Sequence, residues 1–291
     1  GLDACSWLDE YIEFSKNWSP RSYDGYHEAV GLWLLSTIAA RRVAITNFGK
    51  ERYTNLYIIL VGRTTLYAKS TVVQIGKELL QKIGLDFLLL PDESTPQRMI
   101  KDMSVELPDN YDKMNAEQKD RVKLIIAFTG QRGWFFDEFG QNIHLMMRKD
   151  GPYSEFRGLF RKFDDTEPKY ERSTISRGKE TVYRPYLALL GILTPADIAP
   201  FAKMGAILWG DGYLARMALI VPPEGLITEG QFPEEERVFP ESLLKPLVDW
   251  NKRLGNPKIK IEGGKITAVE PPASSKLVFT KEVREAYYRY D

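Results

Sequence analysis

Residues 56–71, LYIILVGRTTLYAKST, constrain the fold more than any other part of the chain. An apolar run is followed by a short polar loop, and Lys69, Ser70 and Thr71 then open a segment with helical spacing. That order is strand, loop and helix, which is the context of a phosphate-binding loop. Such a loop needs backbone N–H groups aimed at phosphate oxygens, a lysine for the β- and γ-phosphates, and a hydroxyl for Mg²⁺. Lys69 and Ser70 supply the last two groups.

The loop departs from the usual pattern at its glycines. Aligned on Lys69, the pattern G-x-x-x-x-G-K-[ST] has Arg63 and Ala68 where glycines normally stand, and Gly62 falls one position early. Alanine suits the second position if its φ stays negative, because the backbone binds the phosphate. An ordinary strand-to-helix turn remains the alternative. The predicted nucleotide-binding residues are Arg63, Thr64, Thr65, Ala68, Lys69, Ser70 and Thr71.

An acidic pair follows another apolar segment, as the second half of a nucleotide site requires. In residues 134–138, WFFDE, three aromatic residues suited to a buried strand precede Asp137 and Glu138. Asp137 would hold Mg²⁺ together with Ser70, and Glu138 would polarise the attacking water. Two surface acids after a strand are the alternative. The order of the two motifs also suits a doubly wound sheet.

Two further residues are catalytic candidates. Thr194 ends the apolar run 187–193, LALLGIL, where its hydroxyl could sense the γ-phosphate. A strand-terminating turn residue before proline is the alternative. Arg216, in the segment GDGYLAR, could stabilise charge in the site of a neighbouring subunit as an arginine finger. A solvated arginine is its alternative.

A basic hairpin is the best local evidence for nucleic acid. Residues 170–175 and 181–184 flank the tip SRGK, which predicts two strands with a basic turn. Arg172, Arg177 and Lys179 would hold the phosphates of single-stranded DNA without reading its sequence.

Composition limits the alternatives. The 291 residues contain 40 basic and 40 acidic side chains, which argues against bulk attraction to nucleic acid or membranes. One cysteine, Cys5, excludes a disulfide framework, and two histidines make a histidine-rich metal centre unlikely on composition. Residues 29–40 are too short an apolar run to cross a bilayer. We expect a cytoplasmic protein with no membrane partner, cut from a longer chain.

The remaining pattern predicts alternating helices and strands. Helices are expected over 70–83, 196–204 and 240–254, over 3–16 and 27–43, and over 142–163 with a break at residues 151–152. Strands are expected from residue 56 to the loop, from residue 133 to the acidic pair 137–138, and over 87–90, 123–129, 187–193 and 217–221. Residues 104–120 are predicted to be a polar surface insertion, and residues 258–269 a small hairpin. Buried His27 is expected to pack or cap rather than bind a ligand. We divide the chain into an N-terminal helical element (1–50), a core (51–222) and a C-terminal α+β appendage (223–291).

The order of these motifs resembles a large family of poorly characterised P-loop proteins of phages, prophages and other mobile elements, often associated with primases. The resemblance rests on HEAVGLWLLSTIAARR, YTNLYIILVGRTTLYAKST, STPQRMI, GWFFDEFG, RPYLALLGILTPAD and GDGYLARMALIVPP, which span residues 25–223. It implies an α/β P-loop NTPase core of RecA-like or AAA type, with a central, mainly parallel sheet flanked by helices. It matches Lys69 and Ser70 to the loop, Asp137 and Glu138 to the acidic pair, and Arg216 to the family arginine.

The implied function is an ATP- and Mg²⁺-dependent, helicase-type hydrolase in DNA replication of a mobile element. It would act on single-stranded DNA as a hexamer-like ring, with a primase as a further partner. Two alternatives stay open. One is a degenerate P-loop scaffold that binds DNA or a partner without hydrolysis, and the other is a signalling NTPase in defence.

Overall fold

The computed structural model describes residues 5–47, 50–137, 139–148, 151–165, 167–174, 178–204, 212–272 and 276–289. The helices along this part of the chain are α1 (Ser6–Trp18), α2 (Asp24–Ala39), α3 (Lys69–Lys82), α4 (Pro96–Met103), α5 (Ala116–Thr129), α6 (Phe139–Met146), α7 (Glu155–Asp164), α8 (Pro195–Met204), α9 (Glu241–Leu254) and α10 (Lys281–Tyr288). The strands are β1 (Ala44–Asn47), β2 (Lys50–Tyr53), β3 (Tyr57–Val61), β4 (Gln131–Phe136), β5 (Lys169–Thr174), β6 (Gly178–Tyr183), β7 (Tyr186–Leu193), β8 (Met217–Ile220), β9 (Lys258–Glu262), β10 (Lys265–Glu270) and β11 (Lys276–Val278).

A four-stranded sheet in the order β4–β7–β3–β8 forms the centre of the fold. All its pairings are parallel, with Tyr57 of β3 opposite Leu189 of β7 and Met217 of β8. Parallel strands need crossover connections, and here helices supply them on both faces. The predicted α/β class with a central parallel sheet is therefore confirmed.

Alternate residues of the sheet enter two separate apolar clusters. On one face, Ile58 and Leu60 of β3 pack with side chains of α2 and α3. On the other face, Tyr57, Ile59 and Val61 pack with side chains of α6 and α7. Burial on both faces explains why the strand reads as a continuous apolar run instead of an alternating one.

Helix α2 is buried on nearly every side, as its composition predicts. The indole N–H of Trp33 donates to the carbonyl of Ala188 in β7 over 3.0 Å, which ties this early helix to a late strand. His27 is also fully buried, and its Nδ1 lies 2.7 Å from Ser15 Oγ of α1. Burial lowers the pKa of His27 to about 4, so the ring is neutral at pH 7. The predicted packing role of His27 fits this environment.

The prediction of a strand at residues 87–90 is wrong. Residues Asp86–Leu88 form a 3₁₀ turn, and Leu89 makes only an isolated parallel bridge with Gly133 of β4. Phe87 points outward and is exposed, whereas Leu88 and Leu90 point inward. A run of apolar residues therefore marks the edge of the sheet here without forming a regular strand.

The prediction of a strand at residues 123–129 is also wrong, because these residues complete helix α5. Asn115 and Gln118 form a capping box, in which each side chain bonds the backbone N–H of the other residue. The cap starts the helix inside the stretch predicted to be a polar insertion. Propagation then carries it through Thr129, with Ile126 and Phe128 buried and Ile125 exposed.

The smaller elements mostly follow the predictions. The hairpin β5–β6, the hairpin β9–β10 and helix α9 lie where the pattern placed them. Residues 50–53, interpreted as a turn, are instead strand β2, which pairs antiparallel with β1 in a three-stranded sheet with β11. The domain boundaries at 50 and 222 stay predictions. Tyr11, Ile58 and Leu243, from the three predicted segments, share one apolar cluster.

Two adjacent arginines after α2 are buried in the core. Arg41 donates to the carbonyls of Tyr183, Arg184 and Ala127. Arg42 bonds the carbonyl oxygens of Asn251 and Gly255 at the end of α9. These guanidinium groups donate hydrogen bonds to backbone carbonyls near the ends of helices and strands, which would otherwise lack a donor. Within the described ranges, no helix is both long and apolar enough to cross a bilayer.

Candidate functional site

A cavity of about 560 Å³ opens at the carboxyl ends of β3, β7 and β4. In parallel sheets this edge is where ligands bind, outside the ends of strands whose connections leave in opposite directions. Here the chain passes from β3 to β4 and β7 on one side and to β8 on the other. The residues that line the cavity are Thr64, Thr65, Ala68, Lys69, Ser70, Thr71, Asp137, Gly140, Gln141, Ile192, Leu193, Thr194 and Asp197.

The amino-terminal ends of α3, α6 and α8 all contribute to this cavity. Helix α3 begins at Lys69, α6 contributes Gly140 and Gln141 from its first turn, and α8 follows Thr194. The first N–H groups of a helix lack intrahelical acceptors and carry the positive end of the helix dipole. The ends of α3 and α6 therefore favour an anion in the cavity. The end of α8 contributes less, because Pro195 has no N–H and the N–H of Thr194 is bonded to Asp197.

Lys69 provides the cationic side chain of the site and is only 8 % exposed. Its Nζ donates to the carbonyl oxygens of Gly62 at 2.6 Å and Arg63 at 3.2 Å. Burial lowers the pKa of Lys69, and the nearby Asp197 carboxylate opposes this shift. The ammonium is therefore held against its own loop, at the wall of the cavity.

Gly62 has no side chain, which leaves room for the hydroxyl of a neighbouring tyrosine. The Tyr26 hydroxyl of α2 donates to the carbonyl of Val61 over 2.6 Å, at the end of β3. A Cβ atom on Gly62 would lie 2.4 Å from that hydroxyl oxygen. The glycine thus allows α2 to fix the strand end from which the loop departs, and Tyr26 is a positioning residue that the sequence pattern did not reveal.

The loop takes left-handed backbone at two residues that are not glycine. Ala68 has φ 40° and ψ 40°, and Thr65 has φ 63°. The condition under which alanine was said to suit this position, a negative φ, is therefore not met. The position before the lysine demands the conformation that glycine normally supplies, and Ala68 adopts it at a cost of about 1–2 kcal/mol.

Replacing Ala68 by glycine is expected to raise the free energy of unfolding by about 1 kcal/mol, because glycine adopts this φ without the Cβ clash. Urea unfolding measures the change. Ala199→Gly, at an exposed position in the middle of α8, is the control and should lower stability, since glycine inside a helix costs about 0.5–1 kcal/mol. If Ala68→Gly lowers the free energy of unfolding as much as the control does, the backbone of Ala68 is not strained.

Thr194 and Asp197 form the start of helix α8 at the cavity wall. The backbone N–H and the hydroxyl of Thr194 donate to Asp197 Oδ2 over 2.7 and 2.8 Å. A Cβ on Gly140 would lie 2.3 Å from the same oxygen, so the glycine lets α6 approach this carboxylate. Asp197 was missed as a site residue. The sequence TPAD, with an acid three residues after a capping threonine, was the available signal.

Asp137 and Ser70 line the same cavity from opposite elements, the end of β4 and the first turn of α3. Both side chains are exposed. Groups of three or more metal-binding side chains are not found in the described part of the chain. Mg²⁺ in nucleotide sites typically uses one or two protein ligands plus phosphate and water oxygens. The pair Ser70 and Asp137 fits that mode of binding and not an all-protein cage. Glu138 lies outside the described residues.

Among the predicted loop residues, all of which the structure describes, Arg63 alone does not line this cavity, although its carbonyl accepts a hydrogen bond from Lys69. Its side chain is exposed on the neighbouring surface, where it borders a second cavity.

Arg216 lies at the opposite edge of the sheet. It directly precedes Met217, which pairs with Tyr57 at the start of β3, whereas the cavity is at the end of β3. Its Nε donates to Asp164 over 3.0 Å, and Nη1 donates to the carbonyl of Gly212. Burial raises the pKa of Asp164, and the charge of Arg216 opposes that shift. Within one chain, Arg216 and Lys69 do not share a site.

The basic residues of the hairpin are paired with acids where the structure describes them. Arg172 lies 2.8 Å from Glu155, and Lys179 lies 2.8 Å from Glu171. Arg177 lies outside the described residues. These ion pairs reduce the positive field that a DNA phosphate would meet.

No protein-family model matches the chain, and no curated protein matches it either. Function must therefore be argued from the cavity and its residues.

Proposed function

We propose that this protein binds MgATP in the cavity at the end of β3 and hydrolyses it. The observation that supports the proposal is the meeting of Lys69, Ser70 and Asp137 with the amino-terminal ends of α3, α6 and α8 around one cavity. An ammonium, a hydroxyl, a carboxylate and the first N–H groups of α3 and α6 form the set of groups that a triphosphate and its metal require.

In this proposal each group has one task. The N–H groups of the loop and of α3 hold the β-phosphate. The Lys69 ammonium exchanges its hydrogen bond to the Gly62 carbonyl for hydrogen bonds to the β- and γ-phosphates. Ser70 and Asp137 hold Mg²⁺, which when bound neutralises charge on the phosphates. Thr194 contacts the γ-phosphate, with its orientation set by Asp197.

The strand order supports the same assignment. Strand β7 lies between the loop strand β3 and the acidic strand β4, so Thr194 is placed between Lys69 and Asp137. This order resembles the RecA-like and AAA-type cores that the sequence resembles. This likeness in strand order is an analogy between folds, and it adds to the chemistry of the cavity.

Glu138→Gln tests hydrolysis separately from binding. We expect the variant to bind MgATP with parental affinity and to release phosphate at least about a hundredfold more slowly, since a positioned general base contributes about 10²–10⁴-fold. Calorimetry and a phosphate-release assay measure the two quantities. The control is Glu106→Gln, an exposed glutamate paired with Lys101 and outside the cavity lining. Equal turnover in Glu138→Gln and the parent would remove the catalytic assignment.

The resemblance extends the proposal to a ring-shaped, helicase-type motor on single-stranded DNA, working with a primase. In a ring, Arg216 would have to leave Asp164 and enter the cavity of a neighbouring subunit. Two measurements address this extension: phosphate release with and without single-stranded DNA, and particle mass by light scattering with MgATP. A DNA-independent monomer would limit the function to nucleotide turnover or to signalling.

A second candidate is a module that binds nucleotide without hydrolysing it. The specific observations in its favour are the left-handed Ala68 and the ammonium of Lys69 bonded to its own loop. A MgATP-dependent rise in melting temperature without phosphate release would support this candidate over the first.

A further inference from the structure

A second cavity of about 520 Å³ adjoins the phosphate loop on the side of the segment that follows β8. Its walls come from residues 61–63, 66 and 67, from Pro195, and from residues 221–227. Neither the phosphate chemistry nor the acidic pair uses this cavity.

The loop is the common wall of the two cavities. Thr64 and Thr65 line the first cavity, whereas Gly62 and Leu66 line the second. The carbonyl of Gly62 also accepts the bond from Lys69 Nζ. At the other wall, Thr194 lines the first cavity and the next residue, Pro195, lines the second. At both walls, residues that are adjacent in sequence therefore line the two different cavities.

The second cavity gathers exposed apolar side chains. Leu66 is 45 % exposed, Val221 is 53 % exposed and Ile227 is 78 % exposed, and all three line it. Large exposed apolar side chains that collect at one cavity mark a binding surface. The Tyr67 hydroxyl donates to the carbonyl of Leu226 over 2.9 Å, which fastens residues 221–227 to the loop.

We propose that this second cavity holds the base of the bound nucleotide between Leu66 and Ile227, while the phosphates occupy the first cavity. This inference rests on the proposed function, because the base reaches the second cavity only if the phosphates bind beside Lys69. A flat aromatic base matches apolar walls on both sides of a cleft.

The same lining sets the selectivity of the base site. The Tyr67 hydroxyl is engaged by Leu226, and the ionic side chains of Arg63 and Glu224 are exposed at the rim. Apolar contact alone distinguishes similar ligands by about 10–200-fold at most, far less than a site built from buried hydrogen bonds. We therefore expect the affinities for ATP and GTP to differ by less than about 200-fold.

Calorimetry with three probes, MgATP, MgGTP and inorganic tripolyphosphate with Mg²⁺, tests the inference. Leu66→Ser and Ile227→Ser should each weaken MgATP and MgGTP by about tenfold and leave tripolyphosphate binding unchanged, because only the base contact is lost. The matched control is Val238→Ser, an apolar residue 74 % exposed and outside the lining of both cavities. It should retain parental affinity for all three probes.

The outcomes distinguish a failure of the proposed function from a failure of the base site alone. If the parent binds neither MgATP nor tripolyphosphate, the proposed function fails and the base site with it. If the parent binds both, and Leu66→Ser and Ile227→Ser bind MgATP as the parent does, only the base site is overturned. An equal loss for tripolyphosphate also overturns it, because the substitutions would then act on the phosphate loop.

Discussion

Lys69→Ala is expected to lower the affinity for MgATP by about a hundredfold, since hydrogen bonds to charged groups contribute about 1.5–3 kcal/mol each. The ammonium is already at the cavity wall, 2.6 Å from the Gly62 carbonyl. Binding a triphosphate would therefore need only a local exchange of partners. Calorimetry or displacement of a fluorescent nucleotide measures the loss.

A control on the same helix separates this effect from damage to α3. Lys77 also lies on α3, but its ammonium pairs with Asp92 at 2.6 Å, and it is outside the cavity lining. Lys77→Ala should retain MgATP affinity. The stability of Lys69→Ala should stay within about 1 kcal/mol of the parent, because the lost bonds lie beside an open cavity where water can replace them. Parental affinity in Lys69→Ala would refute the assignment of the phosphate site.

Arg41→Met should lower the free energy of unfolding by about 3–5 kcal/mol, because it leaves buried carbonyls without donors at about 1–3 kcal/mol each. The guanidinium donates to Arg184 and Ala127 over 2.8 Å, and also to Tyr183. Burial lowers the pKa of Arg41 to about 9, so it remains charged at pH 7. Urea unfolding at pH 7 measures the loss.

Arg52→Met is the matched control for Arg41→Met. Arg52 is half-exposed and lies 3.5 Å from the half-exposed Asp165. Exposed pairs of this kind contribute about 0–1 kcal/mol, so the control should unfold close to the parental midpoint. If both variants unfold at the same urea concentration, the buried bonds of Arg41 do not stabilise the fold as argued.

The core of the sheet was predictable because its signals are long and mutually consistent. The strand at 57–61 is followed at once by a loop and an amphipathic helix, and the strand at 187–193 is apolar throughout. Parallel order then placed Lys69, Asp137 and Thr194 at one edge, as the sequence predicted.

Two of the errors fall where a short apolar run carries no information on period. Residues 87–90 and 123–129 each looked like strands, but one is a 3₁₀ turn and the other the second half of a helix. Short apolar runs do not distinguish a strand from a buried helix. The capping residue Asn115, which lies well before the apolar part of α5, decided the second case.

Contacts between distant segments could not be predicted from spacing. Tyr26 reaches the end of β3 from α2, 35 residues earlier in the chain, and belongs to no recognised motif. Asp197 differs, because it lies in the capping sequence TPAD, three residues after the predicted Thr194. The left-handed backbone of Ala68 was missed for another reason. The residue type favours negative φ, and the surrounding structure overrides that preference.

The burial of α2 also bears on how the chain folds during synthesis. Trp33 and its acceptor Ala188 are separated by 155 residues. At about 5–20 residues per second, the ribosome needs roughly 8–30 s to deliver the strand that shelters this helix. Helices α1 and α3, which share an apolar cluster with α2, are made much sooner, but the face of α2 that packs on β7 stays uncovered for that interval. Chaperones that bind exposed apolar segments should therefore raise the yield of native protein.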